Sequence, residues 1–298
     1  MRVLISGASG LIGSSLSLAL RVRGDEVLPL VRRAPTNPSE VQWHERGSIE
    51  PRALGSVDAV VHLAGRNVGA RWTQKTKREI FDSRVTGTRV LAEAVAESFR
   101  RTGKPKTFIC ASAIGYYGGR GDEILTEESS SGGGFLAEVV RRWEEATAAA
   151  REAGVRVVSP RIGVVLARDG GALGKMLLPF RAGVGGKIGT GEQWMSWITM
   201  TDLIRILLRA LDNESMSGVY NAVTPQPVRN RHFVKALGAA LHRPAILPLP
   251  AFAVRAIFGQ MGVETILNSE RVIPMRLQDA EFHFEYPELE TALERVLG

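Results

Sequence analysis

Arg2-Val3-Leu4-Ile5-Ser6-Gly7-Ala8-Ser9-Gly10-Leu11-Ile12-Gly13 decides how the rest of this chain is read. Five β-prone residues end at a glycine, and Leu11, Ile12, Leu16, Leu18 and Leu20 then recur mostly at helical spacing until Gly24. The stretch is strand, glycine turn, helix. Its spacing, GxxGxxG, supplies a tight turn, a close backbone approach to a pyrophosphate and close helix–strand packing, while the helix start offers unpaired N–H groups to an anion. Dinucleotide binding is the reading, against a merely structural turn.

Outward from this turn the pattern repeats. Glu26 to Val31 reads as a second strand despite Pro29, and Asp58 to Ala64 as another, buried on both faces because its apolar residues do not alternate. A long amphipathic helix is expected over 74–101, a strand over 106–111, a helix over 135–153 and a strand over 155–159. Alternation of this kind predicts an α/β, Rossmann-type doubly wound parallel sheet. Further helices are expected over 202–211 and 229–241, with a strand at 219–221 between them. The domain reading is 1–220 for the dinucleotide part and 221–298 for a smaller, mainly helical C-terminal part covering the cleft. Glycines at 170, 171, 174, 183, 185, 186, 189 and 191 mark 170–200 as a substrate-side insertion, read as a mobile wall or lid.

The second strand ends in Val31-Arg32-Arg33, where an acidic residue would hold the ribose hydroxyl of NAD. Guanidinium groups suit a 2′-phosphate instead, so NADP is preferred. This also places part of a net charge of +7, from 38 Lys+Arg against 31 Asp+Glu, that would otherwise suggest nucleic acid or an anionic membrane. The basic residues are scattered rather than interleaved with aromatics, so no nucleic-acid partner is expected. No apolar run approaches the roughly 20 residues of a membrane span. One cysteine, Cys110, excludes an internal disulfide and suits a reducing, cytoplasmic setting. Histidines at 44, 62, 232, 242 and 283 show no metal-binding spacing.

With these motifs, His62-Leu63-Ala64-Gly65, Ala111-Ser112-Ala113 and Pro160-Arg161 make the chain resemble an extended short-chain dehydrogenase/reductase. More narrowly, Arg71-Trp72-Thr73, Ser83-Arg84, Gly115-Tyr116-Tyr117-Gly118, Leu178-Pro179-Phe180, Trp197-Ile198 with Asp202-Leu203, and Val272-Ile273-Pro274 resemble the atypical nucleoside-diphosphate-sugar-epimerase-like family with a C-terminal domain of unknown function. The resemblance implies Gly7, Ser9, Gly10, Leu11 and Ile12 at the pyrophosphate and Arg32, with Arg33 beside it, at the 2′-phosphate. It puts Leu63, Ala64 and Gly65 under the adenosine and Glu79 and Arg84 facing the cofactor from the long helix.

The resemblance fails at the catalytic pair. Such enzymes use a serine and Tyr-x-x-x-Lys, whose lysine eases proton exchange at the tyrosine. Ser112 matches the serine, but the helix from Phe135 holds neither tyrosine nor lysine, and no Tyr-x-x-x-Lys occurs in the chain. Tyr116 or Tyr117, with a cation from Arg161 or Lys175, is one candidate proton donor. The alternative is an NADP(H)-binding regulatory or scaffold protein without turnover. Trp194, Met195 and Trp197 read either as pocket lining or as core, Glu123, Glu127 and Glu128 as a solvated loop face. The amphipathic long helix packs internally or, in a homodimer, on a second copy.

Overall fold

The computed structural model describes residues 1–43, 49 and 51–298, so His44 lies outside the described residues. Its strands are β1 (Arg2–Ser6), β2 (Glu26–Val31), β3 (Val41–Gln42), β4 (Ala59–His62), β5 (Thr107–Cys110), β6 (Ser112–Ala113), β7 (Ile124–Leu125), β8 (Arg156–Ile162), β9 (Val164–Leu166), β10 (Trp194–Met195), β11 (Trp197–Thr199), β12 (Gly218–Ala222), β13 (Val228–Arg229) and β14 (Arg271–Val272). Eight of them form one parallel sheet in the order β12-β8-β5-β4-β1-β2-β3, with β6 continuing beside β8. The order runs one way from β1 and the other way from β4, so a crevice opens beyond their carboxyl ends, where open α/β sheets bind ligands.

The helices are α1 (Leu11–Val22), α2 (Pro51–Leu54), α3 (Gln74–Phe81), α4 (Gly87–Thr102), α5 (Phe135–Glu145), α6 (Ala148–Glu152), α7 (Gly171–Arg181), α8 (Met200–Asp212), α9 (Asn230–Ala240), α10 (Ala251–Phe258), α11 (Gln260–Thr265), α12 (Met275–Asp279) and α13 (Leu289–Leu297). Successive strand residues point to opposite faces, and both faces are buried. Val3, Ile5, Val61, Ile109 and Val158 pack under α1 and α8, whereas Leu4, Val60, Phe108, Cys110 and Val157 pack under α2, α4 and α6. This two-sided burial is why the strands read as unbroken apolar runs. Pro29 is tolerated because β3 pairs only with Leu30 and Val31, so no ladder N–H is missing on that side.

Four expectations need correction. The helix expected over 74–101 is interrupted by a π-helical turn, Asp82–Thr86, and the helix expected over 135–153 breaks between α5 and α6. Periodicity alone does not register a single wide turn. The first part of the glycine-rich stretch is the helix α7, because Leu173, Leu177 and Phe180 recur at helical spacing and are buried with Trp197, Phe233, Leu237, Leu289 and Leu293. The C-terminal part therefore shares a core with α7 and β11. Last, Glu127 is no solvated loop charge: it is 7% exposed and its carboxylate accepts the Asn221 N–H at 2.9 Å.

Candidate functional site

At the crevice lies a cavity of about 1360 Å³, beyond the roughly 300–1,000 Å³ usual for small-molecule pockets and suited to an elongated ligand. Gly7, Ala8, Ser9 and Gly10 form one wall, Arg32, Arg33 and Glu40 a second, and Leu63, Ala64 and Gly65 with Glu79 a third. Two glycines are required by contact. A Cβ on Gly7, whose φ is +73°, would stand 2.9 Å from the Ala64 nitrogen, and one on Gly13 would stand 2.1 Å from the Gly7 carbonyl oxygen. With Gly10 at the N-cap offering no side-chain acceptor, the first-turn N–H groups of α1 remain for a ligand. A pyrophosphate fits this cradle.

The expected cofactor residues separate into two groups. Gly7, Ser9, Gly10, Arg32, Arg33, Leu63, Ala64, Gly65 and Glu79 line the cavity. Leu11 and Ile12 do not: Leu11 packs under Gly170 and Gly171, and Ile12 joins the core. Glu79 sits 3.3 Å from the Arg66 guanidinium. Arg84, at the centre of the π turn, lies behind Gly65 rather than in the wall, donating to the Arg66 carbonyl at 2.9 Å with its guanidinium 5.2 Å from the Trp143 ring. Burial pushes its pKa down to about 10.

Beneath the Leu63 wall, the fully buried His62 shares a hydrogen bond of 2.5 Å between Nδ1 and Ser6 Oγ, while its Nε2 has no hydrogen-bond partner among the described residues. Burial, reinforced by the positive Arg84, lowers its pKa from 6.5 to about 4. The unfolded chain therefore takes up this proton first as pH falls. Stability is expected to drop between pH 6.5 and 4, with a slope approaching about 1.4 kcal/mol per pH unit. Denaturant titrations across that range check this, and His62→Gln should flatten the profile.

The expected catalytic residues meet in a buried network beside β8. Ser112 Oγ donates to Glu144 Oε1 at 2.6 Å, and Arg161 grips both oxygens of the same carboxylate at 2.8 Å. Arg161 Nη1 also donates to the Tyr117 hydroxyl at 2.9 Å, which in turn donates to Asn221 Oδ1 at 2.7 Å. Tyr117 is 0% exposed, and burial pushes its pKa up to about 12 against the opposing pull of Arg161. A substrate oxygen reaches that hydroxyl only by displacing Arg161 and Asn221. Tyr116 differs: partly buried, it lays its ring over the Arg161 guanidinium at 3.5 Å, and its hydroxyl takes no part in the network. Lys175 is elsewhere, donating to the Gly69 carbonyl at 3.2 Å. Trp197 is core, whereas Trp194 is partly exposed between Arg229 and Arg271.

Glu144 and Asn221 were not among the residues singled out from the sequence. The signal for Glu144 is its place on the inward stripe of α5, following Ala137 and Val140 at helical spacing. No group of three or more metal-ligating side chains occurs among the described residues. None of the described helices is long and apolar enough to cross a membrane.

Comparison with known proteins matches two spans of the chain. The NAD dependent epimerase/dehydratase family model matches residues 3–222, and a domain of unknown function, DUF1731, matches residues 249–296. The epimerase family protein ML0860 of Mycobacterium leprae is 45% identical, covering 98% of this chain and 94% of its own. The human epimerase family protein SDR39U1 is 40% identical over the full length of both chains. A crystal structure of human SDR39U1 (isoform 2) with NADPH superposes with a TM-score of 0.88 at 36% identity, covering 99% of each chain. Matched over residues 3–222 and aligned end to end with such relatives, the chain belongs to the NAD dependent epimerase/dehydratase family.

Proposed function

We propose that this chain is an NADP(H)-dependent oxidoreductase or epimerase-like enzyme acting on a small carbonyl or hydroxyl compound. The observation that carries the cofactor reading is the cavity itself: a glycine cradle at the start of α1, with Arg32 at the end of β2 on its wall. The human relative crystallised with NADPH supports the same reading. The bound dinucleotide would supply or accept hydride.

The proton is the protein's task. In the reducing direction, hydride arrives at the carbonyl carbon, the C–O π bond breaks, and the oxygen takes a proton from Tyr116 Oη. Arg161, stacked under that ring and already paired with Glu144, balances the charge left on the tyrosine. Arg161 thus takes the place of the missing lysine, and Glu144 fixes its orientation. Ser112 spends its own proton on Glu144, which leaves its oxygen lone pairs as acceptors for a substrate hydroxyl.

Two measurements test this. NADPH should bind with micromolar or tighter affinity, and its absorbance band should decay with at least one member of a carbonyl panel. Tyr116→Phe should then lower kcat by about 10²–10⁴-fold, the usual contribution of a general acid, while sparing NADPH affinity. Tight NADPH binding with no oxidation across the panel supports the regulatory reading instead, which the burial of Tyr117 and Ser112 favours.

A further inference from the structure

The loop between β2 and β3 carries an ion pair whose position bears on cofactor choice. Glu40 sits on the same cavity wall as Arg32 and Arg33. Arg33 Nη1 donates to Glu40 Oε2 at 2.7 Å and Nη2 to Oε1 at 2.6 Å, a two-pronged grip, while Nη1 also donates to the Ala34 carbonyl at 2.9 Å. The same carboxylate accepts the Thr36 N–H at 2.8 Å and its hydroxyl at 3.1 Å. Its side chain is only 9% exposed, against 54% for Arg33. Hydrogen bonding from Arg33, then from Thr36, holds the Glu40 pKa down to about 2, so the carboxylate stays charged at any working pH.

A ribose 2′-phosphate prefers the same forked donor face of a guanidinium that Glu40 already occupies. It would also meet the Glu40 charge in the cavity. We propose that Glu40 tunes cofactor choice at this site: it ties Arg33 down as a positioning residue of the loop, keeps that forked donor face from the 2′-phosphate, and so moderates the preference for NADPH over NADH. This rests on the NADP(H) reading above.

Dissociation constants for NADPH and NADH, measured by fluorescence or calorimetric titration of native chain, Glu40→Gln, Arg33→Met and the double variant, test it. Glu40→Gln is expected to tighten NADPH by about tenfold, one charge-assisted hydrogen bond, with NADH changed by less than about threefold. Arg33→Met alone should change NADPH by less than about threefold, and added to Glu40→Gln it should cancel the gain. A loss of about tenfold or more in Arg33→Met would mean that Arg33 leaves Glu40 for the phosphate, which overturns the proposal. So would weaker NADPH binding by Glu40→Gln, which would make Glu40 a support for the loop alone. Failure of the native chain to bind NADPH at all overturns the underlying cofactor reading, and is distinguished by appearing before any variant is compared.

Discussion

Arg32→Asp is expected to weaken NADPH binding by about two orders of magnitude while changing NADH affinity by less than about threefold. The first part follows from losing charge-assisted contact to a dianion, worth about 1.5–3 kcal/mol, and from adding a like charge on the same wall. The second follows from position: Arg32 lies beyond the end of β2, on the wall where the proposed reading puts the ribose, whereas the cradle at Gly7 to Gly10 that it assigns to the pyrophosphate would serve both dinucleotides. Because Arg32 is exposed, part of the difference should shrink as salt rises from 0.05 to 0.5 M, on the order of a Debye length shortening below 5 Å. Paired titrations of the native and variant chains with each cofactor decide it. Equal losses for both would place Arg32 at the shared phosphates, and identical affinities of the native chain for the two would end the NADP preference altogether.

How far the sequence reaches can be judged from these same residues. Gly7, Gly10 and Gly13 are legible because the turn they form is local, with Gly13 set against the Gly7 carbonyl oxygen inside one strand–helix junction, although the approach of Gly7 to Ala64 needs β4 in place. Arg32 and Arg33 are legible as cations at a strand end, yet the pairing of Arg33 is not, since Glu40 meets it only once the loop to β3 has folded back. Arg84 reads as a helix residue facing a ligand, but the π turn at Asp82–Thr86 rotates it behind Gly65. A one-residue widening of a helix leaves no mark on apolar spacing. Glu144 is masked by its neighbours. Arg141, Arg142 and Glu145 make a solvated charge cluster around it, and only the long-range approach of β8 puts Arg161 against its carboxylate. Local chemistry was readable; pairings that depend on which strands lie side by side were not.

Glu144→Ala should produce the largest stability loss of any single substitution considered. Arg161 has a side chain only 4% exposed, and both of its bonds to Glu144 vanish at once, leaving a buried cation with the Tyr117 hydroxyl and the face of the Tyr116 ring. Breaking a buried pair in this way costs about 3–5 kcal/mol, a large part of the roughly 5–15 kcal/mol that holds a folded domain together. Once the Glu144 contacts are gone burial alone lowers the Arg161 pKa, but a guanidinium starts so high that it still holds its proton near neutral pH and cannot escape the cost. A fall in Tm of about 6–20 °C is expected, at about 2–4 °C per kcal/mol. Glu144→Gln, which keeps an acceptor for Ser112 and Arg161 but not the charge, should fall between Ala and native. Combining Glu144→Leu with Arg161→Met removes the unpaired charge and should recover most of the loss, because apolar replacement of a buried pair is often neutral. A double variant no more stable than Glu144→Ala would show that the pair contributes through Ser112 and Tyr117 rather than through charge. NADPH affinity is the control: none of these four side chains lines the cofactor cavity, so each variant that remains folded should bind the dinucleotide as the native chain does, even where proton transfer at Tyr116 is lost.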